Sequence, residues 1–188
     1  MDRRQALQNV ALLLGGTIVG GSLFMQSGCK SARPVNALFT EDDVQFLDEV
    51  AETILPKTTT PGAKDAAVGA FMTMMVFDCY TPENQKVFAA GIQHLNEKCR
   101  EKYGNGFLKI AAEQRKELLT ALDKEQKEYQ DKKKKEDPSH YFRMMKELTL
   151  LGFFTSEVGA SKALRYVAVP GRYDGSMPYK KGDRAWAT

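Results

Sequence analysis

Two histidines, three cysteines and eight methionines are the side chains best suited to metal, redox or proton chemistry, and their spacing decides what they can do. His94 has Glu97 three residues on, one turn along a helix. That is half of a carboxylate-bridged arrangement in which four helices supply glutamates and two Glu-x-x-His units. His140 has only Glu136 at a four-residue step, with Pro138 between them to break a helix. Both histidines therefore read as satisfied surface or core residues. Cys79 and Cys99 are the only cysteines in the body of the chain. If Cys79 ends one helix and Pro82 opens the next, Cys99 lies ~25 Å along that second helix, well past the ~7 Å Cα limit for a bond. Both read as buried thiols, with a bond to a partner chain as the alternative. A methionine-rich face around Met72 and Met75 reads as gap-filling core, and the haem-attachment pattern C-x-x-C-H is absent. No nucleophile, base and orienting acid come together, so neither a catalytic residue nor a metal site is read in this chain.

Chemistry of another kind stands at the start. Arg3 and Arg4 precede an uncharged, weakly apolar run interrupted by Gly15, Gly16, Gly20 and Gly21, ending at Ser27-Gly28-Cys29. Paired arginines ahead of such a run resemble a signal for the twin-arginine route, which exports proteins already folded. Ala6 and Gln8 stand where that motif usually has an aromatic residue and a lysine. Small residues before Cys29 resemble a lipoprotein box, in which the cysteine is acylated and becomes the mature N-terminus. Gln26 occupies its usually aliphatic position. Residues 1–29 are read as an export leader lipidated at Cys29, with cleavage without lipidation or a retained membrane helix as alternatives. Each places the body outside the cytoplasm, on the periplasmic side of a bacterial membrane.

Length and charge bound the rest. The 188 residues suffice for one domain with a real core, and 43% hydrophobic with 27% charged residues is ordinary for a globular protein. A formal net charge of +3 makes no case for nucleic-acid binding. The basic run Lys132–Lys135 is followed at once by Glu136 and Asp137, and reads as a solvated helix end, with an acidic partner or anionic headgroups as the alternative.

After a polar tether at 30–38, Thr40 is placed to cap a helix with Asp43 as its capping-box partner, and Phe39 and Val44 to staple across the cap. Val44, Leu47, Ala51, Ile54 and Leu55 form the apolar stripe, and Pro56 ends the helix. A second helix is expected from about Asp65 to Tyr80. Thr81-Pro82-Glu83 starts a third that stops at Gly104. A fourth is expected over Glu113–Lys135 with Leu118, Leu119, Leu122 and Tyr129 inward. A fifth begins at Tyr141 with Phe142, Met145, Leu148 and Leu151 or Gly152 recurring at helical spacing, followed by the pair Phe153 and Phe154. Thr155 or Ser156 then caps a fresh helical start. The expected architecture is all-α: a single bundle of five or six helices over 39–166 with an irregular arm over 167–188. That arm, with the residues just before it, concentrates Arg165, Tyr166, Pro170, Gly171, Arg172, Tyr173, Asp174, Tyr179, Arg184 and the lone Trp186. Tyrosine, tryptophan and arginine are the side chains most enriched at binding hot spots. With Phe153 and Phe154 they are the candidate partner-binding residues. The arm is expected either to wrap over its own bundle or to be held by another protein, since ordering it alone is costly.

Phe39-Thr40, Ile54-Leu55-Pro56, Thr60-Pro61-Gly62-Ala63, Asp78-Cys79-Tyr80, the run from Lys146 to Gly152, Phe154-Thr155-Ser156-Glu157, Leu164-Arg165-Tyr166 and the run from Pro170 to Gly175 together resemble the gluconate 2-dehydrogenase subunit 3 family. The resemblance covers nearly the whole chain and is most specific from Phe142 to Gly175. It implies a small subunit with no cofactor of its own. Its partner would be a large FAD-containing dehydrogenase subunit of the glucose-methanol-choline type, at times joined by a cytochrome c subunit carrying haem c. Such complexes act on sugars, sugar acids or glycosides, and the small subunit escorts the flavoprotein through twin-arginine export. The reading that competes with it is a free-standing envelope lipoprotein, acting as a ligand-binding or assembly module.

Overall fold

A computed structural model describes residues 33–187, and Arg3, Arg4 and Cys29 lie outside the described residues. Within them the chain folds as five α-helices: α1 (Glu41–Ile54), α2 (Val68–Cys79), α3 (Pro82–Tyr103), α4 (Ala112–Lys132) and α5 (Tyr141–Thr155). Short 3-10 turns at Lys64–Ala66 and Phe107–Lys109 and a π-turn at Gly159–Ala163 join or extend them. The fold is all-α, as expected. The one sheet among the described residues is a two-residue parallel pairing of β1 (Arg165–Tyr166) with β2 (Trp186–Ala187).

The start of α1 follows directly from its sequence. Thr40 Oγ1 accepts from Asp43 N–H, and the Asp43 carboxylate takes Thr40 N–H at 2.8 Å, closing the capping box. Just before it, Asn36 Oδ1 accepts from both Leu38 and Phe39 N–H, and Asn36 Nδ2 donates to the Thr73 carbonyl. The last part of the polar tether is thus a turn seated on α2. On α1 the deepest positions are Phe46, Leu47, Val50 and Ala51, while Val44, Ile54 and Leu55 are only half-buried.

The second helix begins three residues later than its composition suggests. Ala67 adopts a left-handed conformation (φ 51°), which ends the Lys64–Ala66 turn and restarts the chain as α2. Docking against α1 fixes the restart: the Asp48 carboxylate accepts Gly69 N–H at 2.7 Å, and Glu52 takes Lys57 and Lys64 N–H across the preceding loop. Burial pushes the Asp48 carboxyl above its usual range, and the Gly69 hydrogen bond offsets part of that push. At its other end α2 is closed by Gln85, whose side-chain amide donates to the Val76 and Phe77 carbonyls.

Thr81 caps α3 with Pro82 in the first turn, and Gly104 stops it. Leu118, Leu119 and Leu122 are the buried positions of α4, as expected, and Gln126 joins them. Tyr129, expected inward, is exposed and donates its hydroxyl to the Pro138 carbonyl. The helix ends at Lys132 rather than Lys135, because Lys133 turns extended and Asp137 reaches back to accept Lys134 N–H.

α5 is the central helix. It packs against all four others and buries eight of its 15 residues, Tyr141, Phe142, Met144, Met145, Leu148, Thr149, Gly152 and Phe153. Gly152, not Leu151, continues the stripe. A Cβ there would lie 2.5 Å from the Phe71 ring of α2, so only glycine permits this approach. Ser156 then opens the π-turn, its Oγ accepting Gly159 N–H.

The two body cysteines differ. Cys99 is fully buried on α3, and burial raises its thiol pKa. Cys79, expected buried, is exposed, because it is the last residue of α2 and the helix end projects past the core. Both are free thiols.

Candidate functional site: the C-terminal arm and its base

Arg165 and Trp186, 21 positions apart in sequence, meet at the base of the arm. The Arg165 guanidinium lies over the indole at 4.5 Å from the ring centre, and it faces the Asp183 carboxylate at 3.9 Å. Arg165 N–H donates to the Ala185 carbonyl at 2.8 Å and Val167 N–H to Ala187 at 2.9 Å, which is the parallel pairing. Arg184 adds a bond from its guanidinium to the Lys162 carbonyl at 2.8 Å. The two ends of the arm are therefore tied to each other and to the π-turn after α5.

Between those ends the chain holds its shape through local turns. Arg172 N–H bonds the Pro170 carbonyl at 2.8 Å across Gly171, whose φ of 74° suits glycine and strains other residues. Asp174 Oδ1 accepts Ser176 N–H at 3.1 Å, an Asx-turn, and Arg172 faces the same carboxylate at 3.8 Å. Asp183 accepts Lys180 N–H at 2.9 Å and returns its own N–H to the Lys180 carbonyl.

The tip is nevertheless bare. Residues 168–186 are all exposed, with Tyr173 at 96%, Val169 at 80% and Tyr179 at 76% of full accessibility. Of the two arrangements expected for the arm, wrapping over the bundle is not what the described residues adopt: the arm closes on itself. The candidate partner-binding residues accordingly split into two sets. Arg165 and Trp186 fasten the base, with Tyr166 half-exposed beside them. Pro170, Gly171, Arg172, Tyr173 and Asp174 shape and display the tip.

The aromatic pair on α5 divides as well. Phe153 is 4% exposed and belongs to the core, whereas Phe154 is 39% exposed and meets it edge to face at 5.1 Å. Phe153 is therefore a core residue and not part of the free surface. Consecutive helix positions stand about 100° apart, and here that step carries Phe154 out of the buried face while Phe153 stays within it. Leu151, expected as an alternative to Gly152 in the stripe, is exposed, as are Met74, Phe77 and Leu150, which sequence reading passed over. Their signal was an apolar residue outside the helical stripe.

A buried polar cluster at the start of α5 also escaped the sequence. His140 Nδ1 accepts Phe142 N–H at 3.2 Å, capping the helix, while its Nε2 faces Glu125 at 3.6 Å. Its ring stacks on Tyr141 at 4.5 Å. The Tyr141 hydroxyl and Gln126 Oε1 are buried without a hydrogen-bond partner among the described residues, and burial drives the phenol pKa well up. His94 lies edge-on to Tyr141 at 6.2 Å and is not joined to Glu97 in any ion pair among the described residues. Those residues contain no group of three potential metal ligands, and no helix among them is long and apolar enough to cross a membrane.

A family model described as Gluconate 2-dehydrogenase subunit 3 matches residues 41–171, which takes in every α-helix of the described residues and the chain as far as Gly171 of the arm. Comparison with curated proteins and with solved structures gives no match.

Proposed function

The chain belongs to the gluconate 2-dehydrogenase subunit 3 family, and from that premise we propose that it is the non-catalytic small subunit of an FAD-dependent dehydrogenase of sugars, sugar acids or glycosides. The observation that carries this reading is the family match across the whole helical bundle. FAD belongs to the large subunit, and any haem c to a third. This chain supplies a folded binding surface and an address. Arg3 and Arg4 direct export of the assembled pair, and Cys29, once acylated, holds it on the periplasmic face of the membrane. The arm and its base are the contact with the flavoprotein, which suits their exposed tyrosines, arginine and tryptophan.

The reading is tested in the native host by tagging this chain and replacing Arg3 and Arg4 with lysine. The wild type is expected to bring down a large yellow flavoprotein in stoichiometric amount, with its activity outside the cytoplasm. The double variant is expected to strand that activity inside. Export of the flavoprotein at wild-type level from the variant would refute the escort role, and recovery of this chain alone would refute the subunit role.

A further inference from the structure

The connection from α4 to α5, residues 133–140, ends on His140, where contacts from three helices converge. Its Nδ1 accepts Phe142 N–H at 3.2 Å, and its carbonyl accepts Met144 N–H at 3.2 Å, which together close the first turn of α5. From α4, Glu125 faces Nε2 at 3.6 Å and the Tyr129 ring lies 5.6 Å from the imidazole. From α3, Lys98 holds the other oxygen of Glu125 at 2.5 Å. Tyr141, stacked on His140 at 4.5 Å, seats on α3 at Gly91, where a Cβ would come within 2.5 Å of it, and meets His94 edge-on at 6.2 Å. The rest of the connection hangs on two bonds to its carbonyls, from the Tyr129 hydroxyl to Pro138 at 3.1 Å and from Lys133 Nζ to Asp137 at 2.7 Å.

Only a neutral imidazole fits this place. A ring nitrogen accepts a hydrogen bond only while it carries no proton, so the Nδ1 cap requires the hydrogen on Nε2 alone. A second proton sets Nδ1–H against Phe142 N–H, donor against donor, and puts a positive charge at the positive end of the α5 dipole. Glu125 favours that charge, but Lys98 already takes its other oxygen. The open cleft beside Glu125 and Tyr129 adds Glu128, Lys132, Lys133 and Asp137, two acids and two lysines whose signs balance. Burial acts in the same direction as the lost cap and holds the imidazole pKa down. The corner is also short of polar partners. Gln126 Oε1 and Gln130 Oε1, one turn apart on α4 and next in sequence to Glu125 and Tyr129, are buried with none among the described residues, as is the Tyr141 hydroxyl. Opening the corner lets water reach these groups, which offsets part of the lost packing.

We propose that His140 is a proton-operated latch: neutral, it fastens the α4–α5 connection and the first turn of α5 to the bundle, and protonated, it releases them while the rest of the bundle stays folded. The later turns of α5 keep their own buried stripe of Met145, Leu148, Thr149, Gly152 and Phe153, so the opening stops at a helix end, where local unfolding costs least. The latch does not depend on the chain's role as a dehydrogenase subunit.

The test is hydrogen exchange of the full chain in detergent, read by mass spectrometry at about pH 7.5 and about pH 5.5. Each rate is divided by that of the same peptide in the urea-unfolded chain at the same pH. Protection over residues 133–144 is expected to fall roughly 3- to 10-fold at the lower pH, the ceiling for one proton about one unit below the ordinary histidine value, while α1 and the middle of α3 stay unchanged. His140→Asn keeps a capping acceptor and gains no proton in this range, so its protection there should be the same at both pH values. Glu125→Gln removes the carboxylate facing Nε2 and should widen the wild-type difference. Should the asparagine variant melt early, NMR titration of the wild-type ring decides, His94→Asn assigning the signals of the two histidines. A His140 midpoint below the ordinary value supports the latch, and one at or above it overturns the latch. Unchanged protection of 133–144 in the wild type, a loss spread evenly over the bundle, or an undiminished response in folded His140→Asn overturns it as well.

Discussion

His140 does two things at once: its Nδ1 caps α5 and its Nε2 faces Glu125. Burial holds the imidazole pKa below its ordinary value; Glu125 opposes that shift and Lys98 adds to it, while Tyr129 and Tyr141 supply the packed rings. As pH falls, the unfolded chain takes up this proton before the folded one does. The stabilising contribution is therefore present above the ordinary histidine range, roughly 6.5, and is lost as pH drops through it towards the folded value. Protonation also removes the Nδ1 acceptor that caps the helix. Melting temperature is expected to fall between about pH 7.5 and about pH 5.5, and His140→Asn, which keeps a capping acceptor, should flatten that fall. Glu125 titrates at lower pH: burial would raise its carboxyl, but Lys98 and His140 together bring it down. The neighbouring rings give a second contrast. Phe153→Ala removes a core ring and should cost ~3–5 kcal/mol by denaturant unfolding. Phe154→Ala, on the exposed side, should leave unfolding within about 0.5 kcal/mol and weaken the complex instead.

At the scale of elements, the arm's shape depends on its fastening. Its turns are local, but the parallel pairing and the Arg165–Trp186 stack close a loop of about twenty residues, and each closure offsets the entropy of holding the ends together. Trp186→Ala is expected to open the base, so that limited trypsin digestion cuts at Arg172, Lys180 and Lys181 several-fold faster while the bundle's melting temperature stays put. Equal cutting rates would mean that the turns alone hold the arm. The bundle has the opposite design. α5 meets every other helix, so its caps and stripe bear on the whole core. α1 relies on its own capping box, and Thr40→Ala should cost ~1 kcal/mol in unfolding free energy.

For the whole molecule, the separation of a buried bundle from a bare arm defines what the protein contributes to an assembly. In the proposed reading the bundle gives rigidity, the arm gives contact, and the chemistry belongs to a companion subunit. Purified alone, the chain is expected to show neither flavin absorbance nor turnover of sugar substrates. Purified with its large subunit, the complex should show both. Spectra and a dye-reduction assay on the same preparations check this.

The helices were legible because their signals are local. Thr40 with Asp43, Thr81 with Pro82, Gly104 as a stop, and the spacing of Phe142, Met145 and Leu148 each act within a turn or two of chain. Family kinship was legible for a similar reason, since short runs such as Pro170–Gly175 carry their own geometry. The late start of α2 was not legible, because Asp48 on another helix takes Gly69 N–H. Nor was the choice of Gly152 over Leu151, decided by the Phe71 ring, or of Phe153 over Phe154 for the core. The closing of the arm on itself, rather than over the bundle, needed Arg165 to meet Trp186 across 21 positions. Local hydrogen bonds and helical periodicity are written in neighbouring residues. Which side of an element is covered, and by what, depends on residues distant in sequence, and only the tertiary structure brings those together.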